Sequence, residues 1–130
     1  MKAVVLCGST RFKAEIRKFG SELRKLGAVV HEPHLLKSGV GEWEALSDEY
    51  KNLIASGLTH DHFQKIRMAD VVYVYNKDGY IGNSVTLELG FAVACAKPIY
   101  ALAADEAEVC RNCLIKEIVK TPEELVERLR

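Results

Sequence analysis

Two short stretches of this sequence place groups able to do chemistry where a strand pattern gives way to a helix pattern. The first is Cys7-Gly8-Ser9-Thr10-Arg11. Glycine permits a tight turn and close backbone approach. Free N–H groups at a helix start favour an anion, and Ser9, Thr10 and Arg11 add donors and positive charge. The segment matches neither a Walker A loop nor G-x-G-x-x-G, and the plain alternative is an N-capped strand-to-helix turn. The second stretch is Gly82-Asn83-Ser84-Val85-Thr86-Leu87-Glu88-Leu89-Gly90. Asn83 or Ser84 suits an N-cap, which sets Glu88 in or just after the first turn. The helix around it carries Val85, Leu89, Ala92, Val93 and Ala96 and reads as buried. A carboxylate there needs a partner. A helix N-terminus favours its ionised form, the form a nucleophile requires. Pairing with a core arginine, or a turn toward solvent, is the non-catalytic alternative.

Cysteine and histidine offer less. Cys110 and Cys113 form a lone C-x-x-C. The pairs His31/His34 and His60/His62 could complete a four-ligand zinc site only at unusual spacings. No metal and no cofactor are therefore expected. Cys7 and Cys95 sit in apolar runs and read as small buried hydrophobes. The residue types argue against a disulfide framework and for a reducing, cytoplasmic setting.

The elements that must hold these groups alternate along the chain. Lys2 to Cys7 is a valine-rich strand pattern. Phe12, Ile16, Phe19, Leu23 and Leu26 then mark one face of a helix that Gly27 ends. A second strand covers Ala28 to His31. Residues 32–46, with Pro33, Gly39, Gly41 and Trp43, are irregular, and a segment of that length often lines a site. A helix is expected over 47–68, broken near Gly57. A strand follows at Asp70 to Tyr75, a loop over 76–83, a helix from Ser84 to Ala96 and a strand from Pro98 to Leu102. A helix over 106–116 and a minimal strand at Ile118-Val119 precede the last helix. That helix is opened by the capping box Thr121-Pro122-Glu123-Glu124.

Five strands alternating with helices predict an α/β fold: a flavodoxin-like (Rossmann-like) three-layer sandwich with a parallel sheet in the order 2-1-3-4-5. Ligands in such sheets bind beyond the carboxyl ends of the strands, at the switch point between strands 1 and 3. This brings the loops after Cys7 and Tyr75 together. The 130 residues form one expected domain, 1–130. With 48% apolar and 28% charged side chains, the chain is neither disordered nor fibrous. No apolar run is long enough to span a membrane, and the early strand pattern leads us to expect no signal peptide. Eighteen basic residues balance eighteen acidic ones, which argues against a nucleic-acid polymer as partner. Residues 1–30 nevertheless hold seven basic and two acidic side chains. That excess fits either a local anion site or a solvated helix face.

Taken together, Cys7-Gly8-Ser9-Thr10-Arg11, Ala69-Asp70-Val71-Val72 and Leu87-Glu88-Leu89-Gly90 followed by Lys97-Pro98 resemble the nucleoside 2-deoxyribosyltransferase superfamily. The likeness spans nearly the whole chain and is nearer to the 2'-deoxynucleoside 5'-phosphate N-hydrolase branch. The resemblance implies cleavage of an N-glycosidic bond in a nucleoside or nucleotide, and a homodimer with a shared active site. It implies that Glu88 is the nucleophile and that Gly8, Ser9, Thr10 and Arg11 wrap a 5'-phosphate. Asn83 and Ser84 would line the substrate, and Asn112 would reach into the neighbouring subunit's site. Asp70 matches a structural position. The chain departs from the family pattern at Val5, where a tyrosine is frequent, and at Gly82 and Asn83, where an aspartate is expected. Another family aspartate falls at Asp61 or His62. Asp61, His62 or Asp78 would then supply the acid. Two other readings stay open. One is a non-catalytic nucleotide-binding or sensing module on the same fold; the other, a flavin redox protein, rests on fold analogy alone.

Overall fold

In the computed structural model, which describes residues 1–35 and 41–130, the valine-rich runs form the centre of a parallel sheet. The strands are β1 (Val4–Cys7), β2 (Val30–His31), β3 (Val71–Val74), β4 (Ile99–Ala101) and β5 (Glu117–Ile118), in the order β2-β1-β3-β4-β5. All four pairings are parallel, and the β1–β3 register runs from Val4↔Val71 to Cys7↔Val74. The predicted sheet order is the observed one. Gly39, part of the irregular stretch, lies outside the described residues.

The helices are α1 (Lys13–Lys25), α2 (Gly41–Glu44), α3 (Asp48–Met68), α4 (Asn83–Ala94), α5 (Val109–Asn112) and α6 (Pro122–Leu129). The two-residue period of a strand divides the core between the two faces of the sheet. Val4, Leu6, Val71 and Tyr73 pack with Ile16 and Leu23 of α1 and with Leu125 and Leu129 of α6. Val5, Cys7, Val72 and Val74 pack on the other face with Ile66 of α3 and with Val85, Leu89 and Ala92 of α4. The same alternation that buries Cys7 therefore aims it at α3 and α4.

Three local expectations are corrected. Helix α3 runs unbroken through Gly57 for 21 residues. One glycine in a helix costs about 1 kcal/mol, less than the packing of α3 against the sheet and α4 returns. Helix α5 has four residues instead of the expected 106–116. Asp105 is the cause: its buried carboxylate accepts from the N–H groups of Ala107 and Glu108 and from Arg111, which holds the chain in a turn. The N-cap of α4 is Gly82, without a side-chain cap, so Asn83 and Ser84 are its first two residues. At Thr121 the cap forms as expected, with Thr121 Oγ1 accepting from Glu124 N–H, but the return bond from the Glu124 carboxylate goes one residue further back, accepting from Lys120 N–H.

Asp70 is structural here too, its carboxylate accepting from Ala3 N–H at 2.8 Å. A second polar tie was not anticipated: the amide of buried Asn76 exchanges two hydrogen bonds with the backbone of Ala103, at 2.7 and 3.0 Å. It fixes the chain beyond β3 against the chain beyond β4, at the edge of the sheet where the site is built.

Candidate active site

A cleft opens at the carboxyl ends of β1 and β3. It has two lobes of about 250 and 300 Å³, which share Pro33, His34, Ser84 and Glu88. One lobe is walled by Gly8, Ser9 and Thr10 on one side and by Tyr80, Gly82 and Asn83 on the other. The second lies between α3 and α4, where Trp43, Leu58, Thr59 and Leu87 surround it. Trp43 thus lines the cleft; the irregular stretch does contribute to a site.

Glu88 is held at the junction of the lobes. Phe63 of α3 stacks on Phe91 of α4 with ring centroids 4.3 Å apart, which fixes the register of the two helices. One position before each aromatic on α3 and three before it on α4, His62 meets Glu88: His62 Nε2 lies 3.5 Å from Glu88 Oε2. Cys7 Sγ approaches the same His62 nitrogen at 3.2 Å. Cys7, His62 and Glu88 each present one ligand-type atom within 4.8 Å of the others. The tautomer of His62 decides which group donates between Cys7 Sγ and His62 Nε2, and Glu88 Oε2 and His62 Nδ1 have no hydrogen-bond partner among the described residues.

Burial controls the protonation of this trio. It raises Glu88 to about 7, and the contact with the Cys7 thiol offsets only part of that rise. The sequence argument expected the helix N-terminus to keep Glu88 ionised. Glu88 lies a full turn beyond Gly82, however, and the dipole's influence fades within the first turn, so desolvation wins. His62 is pushed down to about 4, first by burial and then by the positive charge of Lys65. Burial, with Glu88 next, pushes the Cys7 thiol well up.

The acids proposed from sequence fare differently from Glu88. His62 is beside Glu88, but it is neutral at physiological pH and has no proton to spare as an imidazolium. Asp61 faces away, bound to Lys65 at 3.1 Å and to His34 at 3.0 Å. The Lys65 hydrogen bond and the charges of Lys65 and His34 outweigh desolvation and hold Asp61 below the usual carboxylate range. Asp78 lies in a separate surface depression with Gly79, Ala103 and Ala104. Among the described residues lining the two lobes, Glu88 is the only carboxyl group.

The loop after β1 takes up its predicted place opposite Glu88. Gly8 is required there by packing: a Cβ would fall 2.6 Å from Ile16 Cδ1 and 3.1 Å from the Tyr75 carbonyl oxygen. Ser9 Oγ accepts from Arg11 N–H, so that backbone donor is not free, although the Ser9 hydroxyl proton is. The Arg11 guanidinium carbon stands 3.5 Å over the ring of Tyr80, which lines the cleft, although Arg11 itself is not among the lining residues. The other basic residues of the N-terminal segment do not join it. Lys2, Arg17, Lys18, Arg24 and Lys25 are exposed, most of them on the outer face of α1, so the charge excess is largely a solvated face. Asn112 is not among the residues lining this chain's cleft; its amide oxygen accepts from Asp105 N–H at 3.0 Å. Cys110 and Cys113 are exposed free thiols, and among the described residues they form no cluster with a histidine.

Cys7, His34 and Tyr80 were missed as site residues. Cys7 is masked by its apolar strand. His34 and Tyr80 carry no spacing signal, since they reach the cleft only through the fold.

No protein-family model matches the chain, and no curated protein does. Among solved structures, it is similar to a 2-deoxyribosyltransferase from the psychrotolerant bacterium Bacillus psychrosaccharolyticus. The identity is 16% and the TM-score 0.61, over 95% of this chain and 90% of that one. It is also similar to a conserved protein from Enterococcus faecalis, at 17% identity and a TM-score of 0.56, over 99% and 98% of the two chains. At these identities the shared property is the fold. No helix among the described residues is long and apolar enough to cross a membrane.

Proposed function

We propose that the protein cleaves the N-glycosidic bond of a nucleoside or nucleoside 5'-monophosphate, with Glu88 as nucleophile. The observation that carries this reading is the placement of Glu88, a buried carboxyl whose Oε2 has no hydrogen-bond partner among the described residues, at the junction of a two-lobed cleft and across from the Gly8-Ser9-Thr10 loop. Such a carboxylate stabilises an oxocarbenium-like state and can capture it covalently. Its oxygen bonds to the anomeric carbon as the bond to the base nitrogen breaks, and the bonding pair leaves with the base. Water then hydrolyses the glycosyl ester, or a second base takes up the sugar. The fold shared with a 2-deoxyribosyltransferase supports the same reading. His34, at the cleft wall and held by Asp61, is the group placed to protonate the departing base. His62 positions Glu88.

Among the described residues Glu88 is the one carboxyl lining the cleft, an observation that favours the alternative of a nucleotide-binding or sensing module. Incubation with a panel of nucleosides, 5'-monophosphates and NAD, followed by chromatography for free base, separates the two. Base release from a nucleoside or monophosphate is expected. Tight binding with no base released from any of them would establish the sensing module instead.

We propose further that the active form is a homodimer. Residues 62 and 63 lie beside the middle of α4, so the first half of α3 extends past the N-terminus of α4. There Tyr50 and Leu53 are 60% and 66% exposed, and Leu87 at the start of α4 is 63% exposed. Stranded apolar side chains on two packed helices fit a self-association surface. Asn112, turned from its own cleft, would then serve its partner's. Sedimentation at micromolar concentration is expected to show a dimer that Leu53→Glu converts to monomer; a monomer in the unmodified protein would remove the idea.

A further inference from the structure

We propose that Cys7, His62 and Glu88 form a binding site for a single divalent cation with the ligand preferences of zinc. The three groups come from β1, α3 and α4, and no part of the N-glycosidase reading is needed to bring them together. Around a tetrahedral ion with metal–sulfur, –nitrogen and –oxygen bonds of about 2.0–2.3 Å, neighbouring ligand atoms stand about 3.3–3.6 Å apart. The observed separations are 3.2 Å for Cys7 Sγ to His62 Nε2 and 3.5 Å for His62 Nε2 to Glu88 Oε2, and all three atoms lie within 4.8 Å of one another. Two of the three separations are thus close to those of a liganded ion, and the third needs at most a small approach of Glu88 to Cys7.

Charge points the same way. Thiolate and carboxylate bring two negative charges, neutral imidazole brings none, and a dication cancels them in a place where an unpaired charge is costly. Glu88 Oε2, lacking a hydrogen-bond partner, would gain one bond to the ion. On binding, the S–H bond of Cys7 breaks, its proton passes to solvent, and the sulfur lone pair goes to the metal. His62 donates the Nε2 lone pair and keeps its proton on Nδ1. Both Glu88 and His62 line the cleft, so the fourth coordination position faces it and takes a water. His62 Nδ1 has no acceptor among the described residues, and a missing support of this kind weakens metal affinity by about 10–100-fold. Micromolar affinity, below that of a structural zinc site, is therefore expected. An ion held this way occupies the carboxylate on which the N-glycosidase depends, so the metal-bound form is an inactive form of that enzyme.

The test is a titration with cobalt(II), which follows zinc in ligand choice and is coloured. It uses chelator-treated protein carrying Cys110→Ser and Cys113→Ser, which removes the exposed thiols. One equivalent per chain should bind, with a near-ultraviolet thiolate-to-cobalt band and strong visible bands of tetrahedral geometry, and zinc should bleach both. Cys7→Ala should abolish the near-ultraviolet band. Because Cys7 is fully buried, His62→Gln gives an independent arm and should weaken binding at least tenfold, with circular dichroism showing that each variant is folded. No thiolate band at millimolar cobalt, a band that survives Cys7→Ala, or a cobalt affinity unchanged by His62→Gln, each in folded protein, overturns the site. The readout is spectroscopic, so a failed search for N-glycosidase substrates would leave this result standing.

Discussion

Glu88→Gln is expected to lower turnover of the best substrate by roughly 10³–10⁶-fold, the range seen when a nucleophile is removed. Its binding should change only a few-fold. Glutamine keeps the volume and one carbonyl oxygen but cannot form a stable glycosyl ester. The cleft would still be shaped by Ser84, Leu87 and the Gly8-Ser9-Thr10 loop. Burial adds a second signature. Glu88 is raised to about 7, so the nucleophilic carboxylate is a minority form in mild acid. Turnover should climb about tenfold per pH unit below 7 and level off above it. His62, already pushed down to about 4, should not contribute a step in that window. The profile is measured with a chelator present so that no cation competes for Cys7, His62 and Glu88. A glutamine variant retaining more than about a tenth of turnover, or a flat profile from pH 5 to 8, would show that the bond is broken without this carboxylate.

The strand order was legible in the sequence because it rests on local signals. Valine-rich runs of four to six residues, glycine stops and a capping box each act over one turn or one strand. Glu88 was legible for a related reason: a carboxyl group in an otherwise apolar helix is a contradiction that burial must resolve. The trio around it was legible only in part: the family resemblance pointed to Asp61 or His62, and nothing pointed to Cys7. Cys7 in an apolar strand is indistinguishable from any small buried side chain until the period-two alternation is combined with knowledge of which helices cover that face. His62 was a candidate by its spacing against the family pattern, but its contact with Glu88 depends on the Phe63–Phe91 stack that sets the register between α3 and α4. The same reason hid the fate of Asp61, whose side chain turns to Lys65 and His34 while its neighbour His62 turns inward. On a helix, adjacent residues do not share a face, so the choice between them needed the packing. Helix α5 was overread because the pull of the Asp105 carboxylate on two following N–H groups and on Arg111 competes with helix formation from outside the helix.

Arg11→Ala is expected to weaken a nucleoside 5'-monophosphate by about ten- to a hundredfold and leave the free nucleoside nearly unchanged. The loss corresponds to one charge-assisted contact of roughly 1.5–3 kcal/mol. Three features support this expectation. Gly8, Ser9 and Thr10 line the cleft, and among the described residues none of their N–H groups donates to another backbone carbonyl outside the sheet and helices. The free proton of the Ser9 hydroxyl is available, since its oxygen accepts from Arg11 N–H. The guanidinium of Arg11 is held over the Tyr80 ring, and Tyr80 itself forms the facing wall. The stack matters because a long side chain pinned on an aromatic loses less freedom on binding than one that waves in solvent. Tyr80→Leu should therefore weaken the monophosphate as well, by less than Arg11→Ala, and Tyr80→Phe should not. Titration calorimetry with paired nucleoside and monophosphate ligands measures all three variants. The phosphate contribution should also shrink with added salt, because Arg11 is exposed. Equal losses for both ligands in Arg11→Ala would mean that the arginine supports the loop and not the phosphate. If the unmodified protein binds a nucleoside as tightly as its monophosphate, the loop after β1 holds no phosphate, and the comparison with transferases that act on free nucleosides becomes the better one.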